Sequence, residues 1–241
     1  LSEEEIDAIL IKEVGMPNDR VKQLNPLYKE ELVEAYFNSD ETLKFDRTEV
    51  TDYGYNEEGE LIELPKDSDE LSVMGVIPRT QLSLWFDVYD VYSSTHGNFK
   101  RFYGNFEWKV EKVNIRNDRL GIALPSGWQI IGGSADCRVN KYYAGKWNYD
   151  SNCGGRTMNA SIYGYSWDVG YGTTTIAYKR NGWVKLDAKK TSSSAMNRAA
   201  GEYAHDTTSN RSTSISVQWG VASISHTVSG SGSIDTAGFD W

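Results

Sequence analysis

The 241-residue chain is long enough for one large β domain, or for one such domain carrying a small appendage. Its 39% hydrophobic content, with 15 Tyr and 8 Trp, supports a true core and excludes a disordered chain. The net charge of −9 sits in the first part of the chain and the cations are scattered, so no nucleic-acid partner is expected, and no apolar run reaches the roughly 20 residues of a transmembrane helix.

The chain opens at Leu1 rather than methionine, which fits removal of an export signal. Ser2 and Glu5 make an S-x-x-E capping box, with Leu1 and Ile6 placed as its hydrophobic staple. Ile6, Ile9, Leu10 and Val14 then form one apolar stripe, ended by Gly15 and Pro17. Asp19 to Leu24 reads as a short helical turn carrying Val21 and Leu24. Asn25-Pro26 starts a further helix with Leu32, Val33, Tyr36 and Phe37 as its stripe. A leader this small must pack on the rest of the chain or on a partner. Its pattern, LSEEEIDAIL followed by GMPNDRVKQL, resembles the opening of uncharacterised exported proteins of Gram-positive, Bacillus-type bacteria over about forty residues. The resemblance implies a location and no activity.

From Asp46 to Pro65 the chain is acidic and turn-rich, with Gly54 and Gly59. After Leu71 nearly everything reads as strand. Leu82, Leu84, Phe86 and Val88 alternate with Trp85, Asp87 and Tyr89, and Phe99 to Val113 continues in the same style. Arg119 to Leu124 and Trp128 to Ile131 flank the turn Pro125-Ser126-Gly127. Thr174 to Arg180 and Trp183 to Leu186 are expected to pair about Asn181-Gly182, a strong hairpin signal. Centring a type II′ turn on Gly220-Val221 places Val217 opposite Ile224, Ile215 opposite His226 and Ser216 opposite Ser225, giving one mainly apolar and one polar face over 212–229. The expected architecture is mainly β: an antiparallel β-sandwich, or barrel-like, domain over 71–241, a helical N-terminal module over 1–45, and an acidic linker or irregular strands over 46–70.

Cys137 and Cys153 lie in a polar, glycine-rich stretch unlike any metal site, and are expected to form a disulfide, which favours an extracellular setting. Between them lies Tyr142-Tyr143-Ala144-Gly145-Lys146-Trp147-Asn148-Tyr149-Asp150, and then come Tyr163-Gly164-Tyr165-Ser166-Trp167-Asp168 and Tyr171. Flat rings beside Asn, Asp and Gly suit sugar rings, whose C–H faces stack while their hydroxyls form hydrogen bonds. Tyr143, Trp147, Tyr149 and Trp167 are therefore the candidate contacts of a secreted, non-catalytic binding protein for a glycan or a cell-surface component. Packing within the core or across strands is the alternative role for any of these rings. Two other functions fit the same chain: a pore-forming β protein using the 212–229 hairpin, and a secreted hydrolase. The hydrolase would draw on Asp87, Asp90, Glu107 and Glu111, or on His205 within Glu202-Tyr203-Ala204-His205-Asp206. His96, His205 and His226 show no metal spacing and no G-x-S-x-G elbow occurs, so neither a cofactor nor a resident metal is expected, although Asp150 or Asp168 could face a Ca²⁺.

Overall fold

The computed structural model describes residues 1–38, 40–49, 52–55, 61–63, 81–111, 115, 118–153, 157–161, 164–205, 214–218, 223–227 and 233–240. Alternation in strand β4 (Leu82–Ser93) shows how the layers arise. Leu82, Leu84, Phe86 and Val88 point inward to a core between two sheets, while Tyr89 and Val91 point outward and are buried as well, beneath the N-terminal helices. A strand buried on both faces belongs to the middle of three layers.

The first sheet has the order β1 (Glu41–Glu49), β4, β5 (Gly97–Trp108), β12 (Arg180–Lys190), β8 (Asp136–Tyr143) and β9 (Lys146–Ser151), with β7 (Trp128–Ile130) also paired to β12. The second runs β10 (Thr157–Ser161), β11 (Gly164–Asp168), β6 (Arg119–Ala123), β13 (Arg198–His205), β16 (Ser233–Asp240), β2 (Asp52–Tyr55) and β3 (Leu61–Glu63). All described pairings are antiparallel, so the chain is a β-sandwich. Between the sheets, Phe86, Phe102, Phe106, Trp108, Val184 and Leu186 meet Leu120, Ile122, Trp167 and Tyr203. Each such side chain, fully buried, contributes about 1.5–3 kcal/mol.

The leader has the helices its sequence predicts. In α1 (Glu3–Ile9) the Ser2 hydroxyl accepts from Glu5 N–H and the Glu5 carboxylate accepts from Ser2 N–H. Leu1, however, remains 72% exposed and staples nothing. A π-helical turn (Leu10–Val14) comes next and ends at Gly15, whose φ is +87°. Then come α2 (Asn18–Gln23) and α3 (Pro26–Phe37), the latter capped by Asn25, whose side-chain oxygen accepts from Leu27 N–H. Leu10, Val14, Val21, Leu24, Leu32 and Val33 are buried against the outer face of the first sheet, with Leu43, Tyr89, Tyr103 and Trp183. This second core joins leader to sheet. The region read as a linker supplies β1, which starts at Glu41 inside the stretch assigned to the helical module, together with β2 and β3 of the opposite sheet.

The expected turn at Asn181-Gly182 is corrected: both residues lie inside the continuous strand β12, and Thr174 to Lys179 form a loop rather than a partner strand. The glycine serves close packing instead of a turn. A Cβ at Gly182 would stand 2.3 Å from the Arg138 carbonyl oxygen and 2.8 Å from the Phe106 ring. The turn at Pro125 to Gly127 is flanked by β6 and β7 as expected, and it carries the chain from one sheet to the other. The hairpin of β14 (Ser214–Gln218) and β15 (Ser223–Thr227) has the expected register, with Val217 opposite Ile224 and Ile215 opposite His226. Its turn at Gly220-Val221 lies outside the described residues. β15 lies against β13 and β6.

Candidate functional site

The register of the first sheet arranges its outer face in rows. Asp87, Tyr103, Lys185 and Asp136 make one row across β4, β5, β12 and β8. Trp85, Asn105, Trp183 and Arg138 make the next, and Ser83, Glu107, Asn181, Asn140 and Tyr149 the one after, reaching β9. Tyr142 and Trp147 are opposed beyond it, at the end of the β8–β9 hairpin. The leader covers the first of these rows and touches the second: Arg20 Nη2 meets the Asp87 carboxylate at 3.3 Å, and Tyr103 and Lys185 both donate to Glu31. The remaining rows form a shelf that ends at the hairpin, where α3 also reaches β9.

The hairpin holds its rings through ordinary sheet geometry. Residues two apart share a face, so Tyr142, Trp147 and Tyr149 lie on the shelf side, while Tyr143 faces the other way and packs on Tyr178 with ring centroids 5.8 Å apart. The turn is Ala144-Gly145, both with positive φ. The disulfide between Cys137 and Cys153 forms as expected, with Cα atoms 5.8 Å apart, and closes the base of the hairpin. Tyr142, Tyr143 and Tyr149 are 42%, 57% and 53% exposed, and Trp147 is half-buried. Tyr142 meets Trp147 edge-on at 5.4 Å, and the Arg138 guanidinium lies 5.5 Å from the Tyr149 ring centroid. Trp167 is a correction: it sits on β11 in the core between the sheets, 2% exposed, and belongs to no surface. Tyr165 is half-buried against the same core, Tyr171 is 41% exposed, and Tyr163 lies outside the described residues.

The floor of the shelf is polar and buried. Arg138 Nε donates to Asn140 Oδ1 at 3.2 Å, and Asn140 Nδ2 donates to Asn181 Oδ1 at 3.0 Å. A guanidinium can only donate, so the direction of both amides is fixed, and Asn181 must present its NH₂ group onward. That group, like the indole N–H of Trp85 and of Trp183, has no hydrogen-bond partner among the described residues, although all three are buried. Each such donor costs about 1–3 kcal/mol. Glu107 stands directly across from Asn181. Burial pushes its carboxyl above the usual carboxylate range, an effect that Lys109 and Lys179 partly offset. Desolvated acids of this kind concentrate at functional sites. Of the four rings proposed from sequence, Trp147 and Tyr149 lie on this side, while Tyr142 and the floor were missed: Asn181 was read into a turn, and the Asn140–Tyr142 alternation was the signal that could have joined floor to rings.

The other candidate chemistry is dispersed. Asp87 is fully buried and accepts from Arg20, Asn105 and Thr48. Strand geometry puts it about 13 Å along β4 from the row of Glu107, beyond the roughly 5–10 Å that paired glycosidase carboxylates need. Asp90 is exposed and pairs with Lys100, and Glu111 lies past the end of β5 and is exposed. His205 is buried, but its orienting carboxylate comes from afar: Asp118 lies 2.7 Å from Nδ1, and the Tyr203 hydroxyl donates to the same Asp118. The Trp108 indole donates in turn to Tyr203, so this network knits β5, β13 and the approach to β6 inside the core. Asp150 and Asp168 face arginines rather than a cation site: Asp150 meets Arg180 at 3.3 Å and Lys141 at 3.4 Å, and Asp168 meets Arg119 at 3.2 Å. The described residues hold no group of three or more metal-ligating side chains. In the 212–229 hairpin the described pairing spans five residues on each arm, against the 9–11 of a membrane-spanning strand.

No family model and no curated protein matches the chain. Among solved structures it is similar to a collagen-binding domain from a Staphylococcus aureus adhesin, at 10% identity and a TM-score of 0.25 over 68% of this chain and 97% of that one. It is also similar to a Streptococcus parasanguinis protein described for pH-induced modulation of adhesion by Fap1 fimbriae, at 13% identity and a TM-score of 0.28 over 83% and 94%. A structure of manganese lipoxygenase of Gaeumannomyces graminis with partial zonadhesin of Komagataella pastoris matches at 5% identity and a TM-score of 0.28, over 78% and 71%. Likenesses of this size carry no functional weight, and the sandwich rests on its own strand pairing.

Proposed function

We propose that the chain is a non-catalytic binding protein that recognises a glycan on the outer face of its first sheet, through Tyr142, Trp147 and Tyr149 above the Asn140–Asn181 floor. The observation that carries this reading is the exposure of Tyr142 and Tyr149, with Trp147 half-buried, on the same side as buried, oriented amides. Exposed rings stack on the C–H faces of sugars, and oriented amides fix the position of hydroxyls. Tyr143, on the hairpin's other side, can extend the contact around its tip. The disulfide supports action in an oxidising compartment, at a cell surface or on extracellular polysaccharide. Catalysis finds no support here, because Asp87 lies too far along β4 to pair with Glu107.

The test is a titration of the protein with soluble oligosaccharides, followed by tryptophan fluorescence. Saturable quenching is expected, and Tyr149→Ala should weaken it by about tenfold, the loss of one stacking contact of roughly 1.4 kcal/mol. Quenching that Tyr142→Ala and Tyr149→Ala leave unchanged would remove the shelf from consideration.

A further inference from the structure

Strand β9 is an edge of the first sheet: among the described residues it pairs with β8 alone. Its hydrogen-bonding phase follows from two observations. The two-residue turn Ala144-Gly145 makes Tyr143–Lys146 its closing pair, and such a pair is hydrogen-bonded. One step along, Tyr142 donates its N–H to the Lys179 carbonyl oxygen, away from its opposite residue Trp147. Successive residues of a strand alternate in direction, so Lys146 and Asn148 turn their backbone groups to β8. Trp147 and Tyr149 turn theirs outward, and those N–H and C=O groups have no backbone partner among the described residues. Tyr149 is exposed and Asn148 half-buried, so the edge is open to a further strand.

The sequence Lys146-Trp147-Asn148-Tyr149-Asp150 is chemically matched to its own reverse. Laid antiparallel on a second copy about a two-fold axis at Asn148, Trp147 of each copy faces Tyr149 of the other. Ring meets ring on the shelf side, a favourable cross-strand pair. Lys146 falls opposite Asp150, so no like charges meet. This register pairs every outward backbone group of Trp147 and Tyr149 in both copies. An axis at Trp147 would set Tyr149 against the turn residue Gly145, and an axis at Tyr149 would set Trp147 against Ser151, beyond the unpaired Asp150. A shift of one residue would set Tyr149 against Asn148, whose backbone groups already serve β8. The axis stands perpendicular to the sheet, so both shelves lie on one side of the joined sheets.

We infer that β9 is a homodimer interface, through which two copies of the chain join their first sheets edge to edge, with Asn148 on the axis. The inference stands apart from what the shelf binds. An edge strand this short buries less than the roughly 1,200 Å² of a stable interface, so the full chain is a monomer at low micromolar concentration and dimerises above it. Sedimentation velocity of the full chain from about 1 µM to about 1 mM should show this reversible dimer. Across the axis Asn148 opposes itself at a non-hydrogen-bonded position, where α-carbons stand about 4.5 Å apart. Asn148→Cys should therefore give a covalent dimer on mild oxidation. Asn148→Lys alone and Asn148→Asp alone bring like charges together and should each weaken the dimer roughly fivefold. An equimolar mixture of the two should restore it, which also shows that both variants are folded. A full chain that stays monomeric throughout overturns the inference. So does a dimer that persists in both charged variants, a mixture no more dimeric than its components, or an Asn148→Cys chain that forms no covalent dimer. Sugar-dependent quenching that fails while the dimer forms bears on the shelf alone.

Discussion

Two carboxylates show how burial sorts residues into structural and functional roles. Asp150 is buried between Arg180 and Lys141 and also accepts from the Thr174 N–H. Arg180 in turn donates to the Thr174 and Ile176 carbonyl oxygens, so this pair anchors the loop that precedes β12. Asp150→Ala leaves a buried guanidinium without its carboxylate and should cost about 3 kcal/mol, visible as a lower denaturant midpoint at unchanged slope. A midpoint within experimental error of wild type would mean that the pair is screened. Glu107 is the opposite case. Its folded pKa lies above the unfolded one, so the folded state is favoured while the carboxyl is protonated, and that advantage is lost as pH rises through the folded value. Glu107→Gln should therefore unfold at a higher temperature than wild type at pH 7, with the difference vanishing below the ordinary carboxylate range. A gap that widens toward acid would contradict the sign. An acid kept at a cost to stability is expected where ligand binding needs it. Neither role was legible in the sequence, because each depends on partners brought together by strand register.

At the scale of elements, local signals were right wherever one element decides its own geometry. The Ser2 and Asn25 caps, the breaks at Gly15 and Pro17, and the β14–β15 register arise from short-range patterns, and each is present. The signal failed at Asn181-Gly182, where a turn dipeptide was overruled by the sheet. Both residues sit between β5 and β8, with the Asn181 side chain held by Asn140 and the Gly182 α-carbon pressed against β8. Tertiary packing outweighs a preference of this size. Gly182→Ala separates the two descriptions. In a solvent-exposed hairpin turn it would be mild, whereas in β12 the new methyl meets the Arg138 carbonyl and the Phe106 ring and should cost roughly 1–3 kcal/mol. Thermal unfolding of the variant reads this directly, and a wild-type midpoint would restore the turn. The rings were half legible for the same reason. Tyr142, Tyr143, Trp147 and Tyr149 sit on an edge hairpin and stay open, but Trp167 resembles them in sequence and lies beneath a second sheet that composition does not reveal.

At the scale of the whole molecule, the leader is part of the fold rather than an appendage. The sequence required a leader this small to pack on the rest of the chain or on a partner. What could not be read was the receiving surface: Tyr89, Tyr103 and Trp183 lie on the outer positions of strands whose inner positions already supply a full core. Edge-on ring contacts beneath the helices run from Tyr28 to Tyr103 at 5.3 Å and on to Trp183 at 5.6 Å, so the leader's packing continues into the sheet. Burial there pushes the Tyr28, Tyr89 and Tyr103 phenols well above their ordinary range. Removal of residues 1–38 would uncover the Tyr89, Tyr103 and Trp183 rings and leave Asp87 without Arg20, opening a large apolar patch around a carboxylate built for burial. The truncated chain should bind a hydrophobic dye, associate in solution and unfold at a lower temperature than the full chain, while the isolated leader should show little helix by circular dichroism. A truncated chain that stays monomeric, with its melting temperature intact, would show that the β-sandwich is autonomous and that the second core is incidental to it.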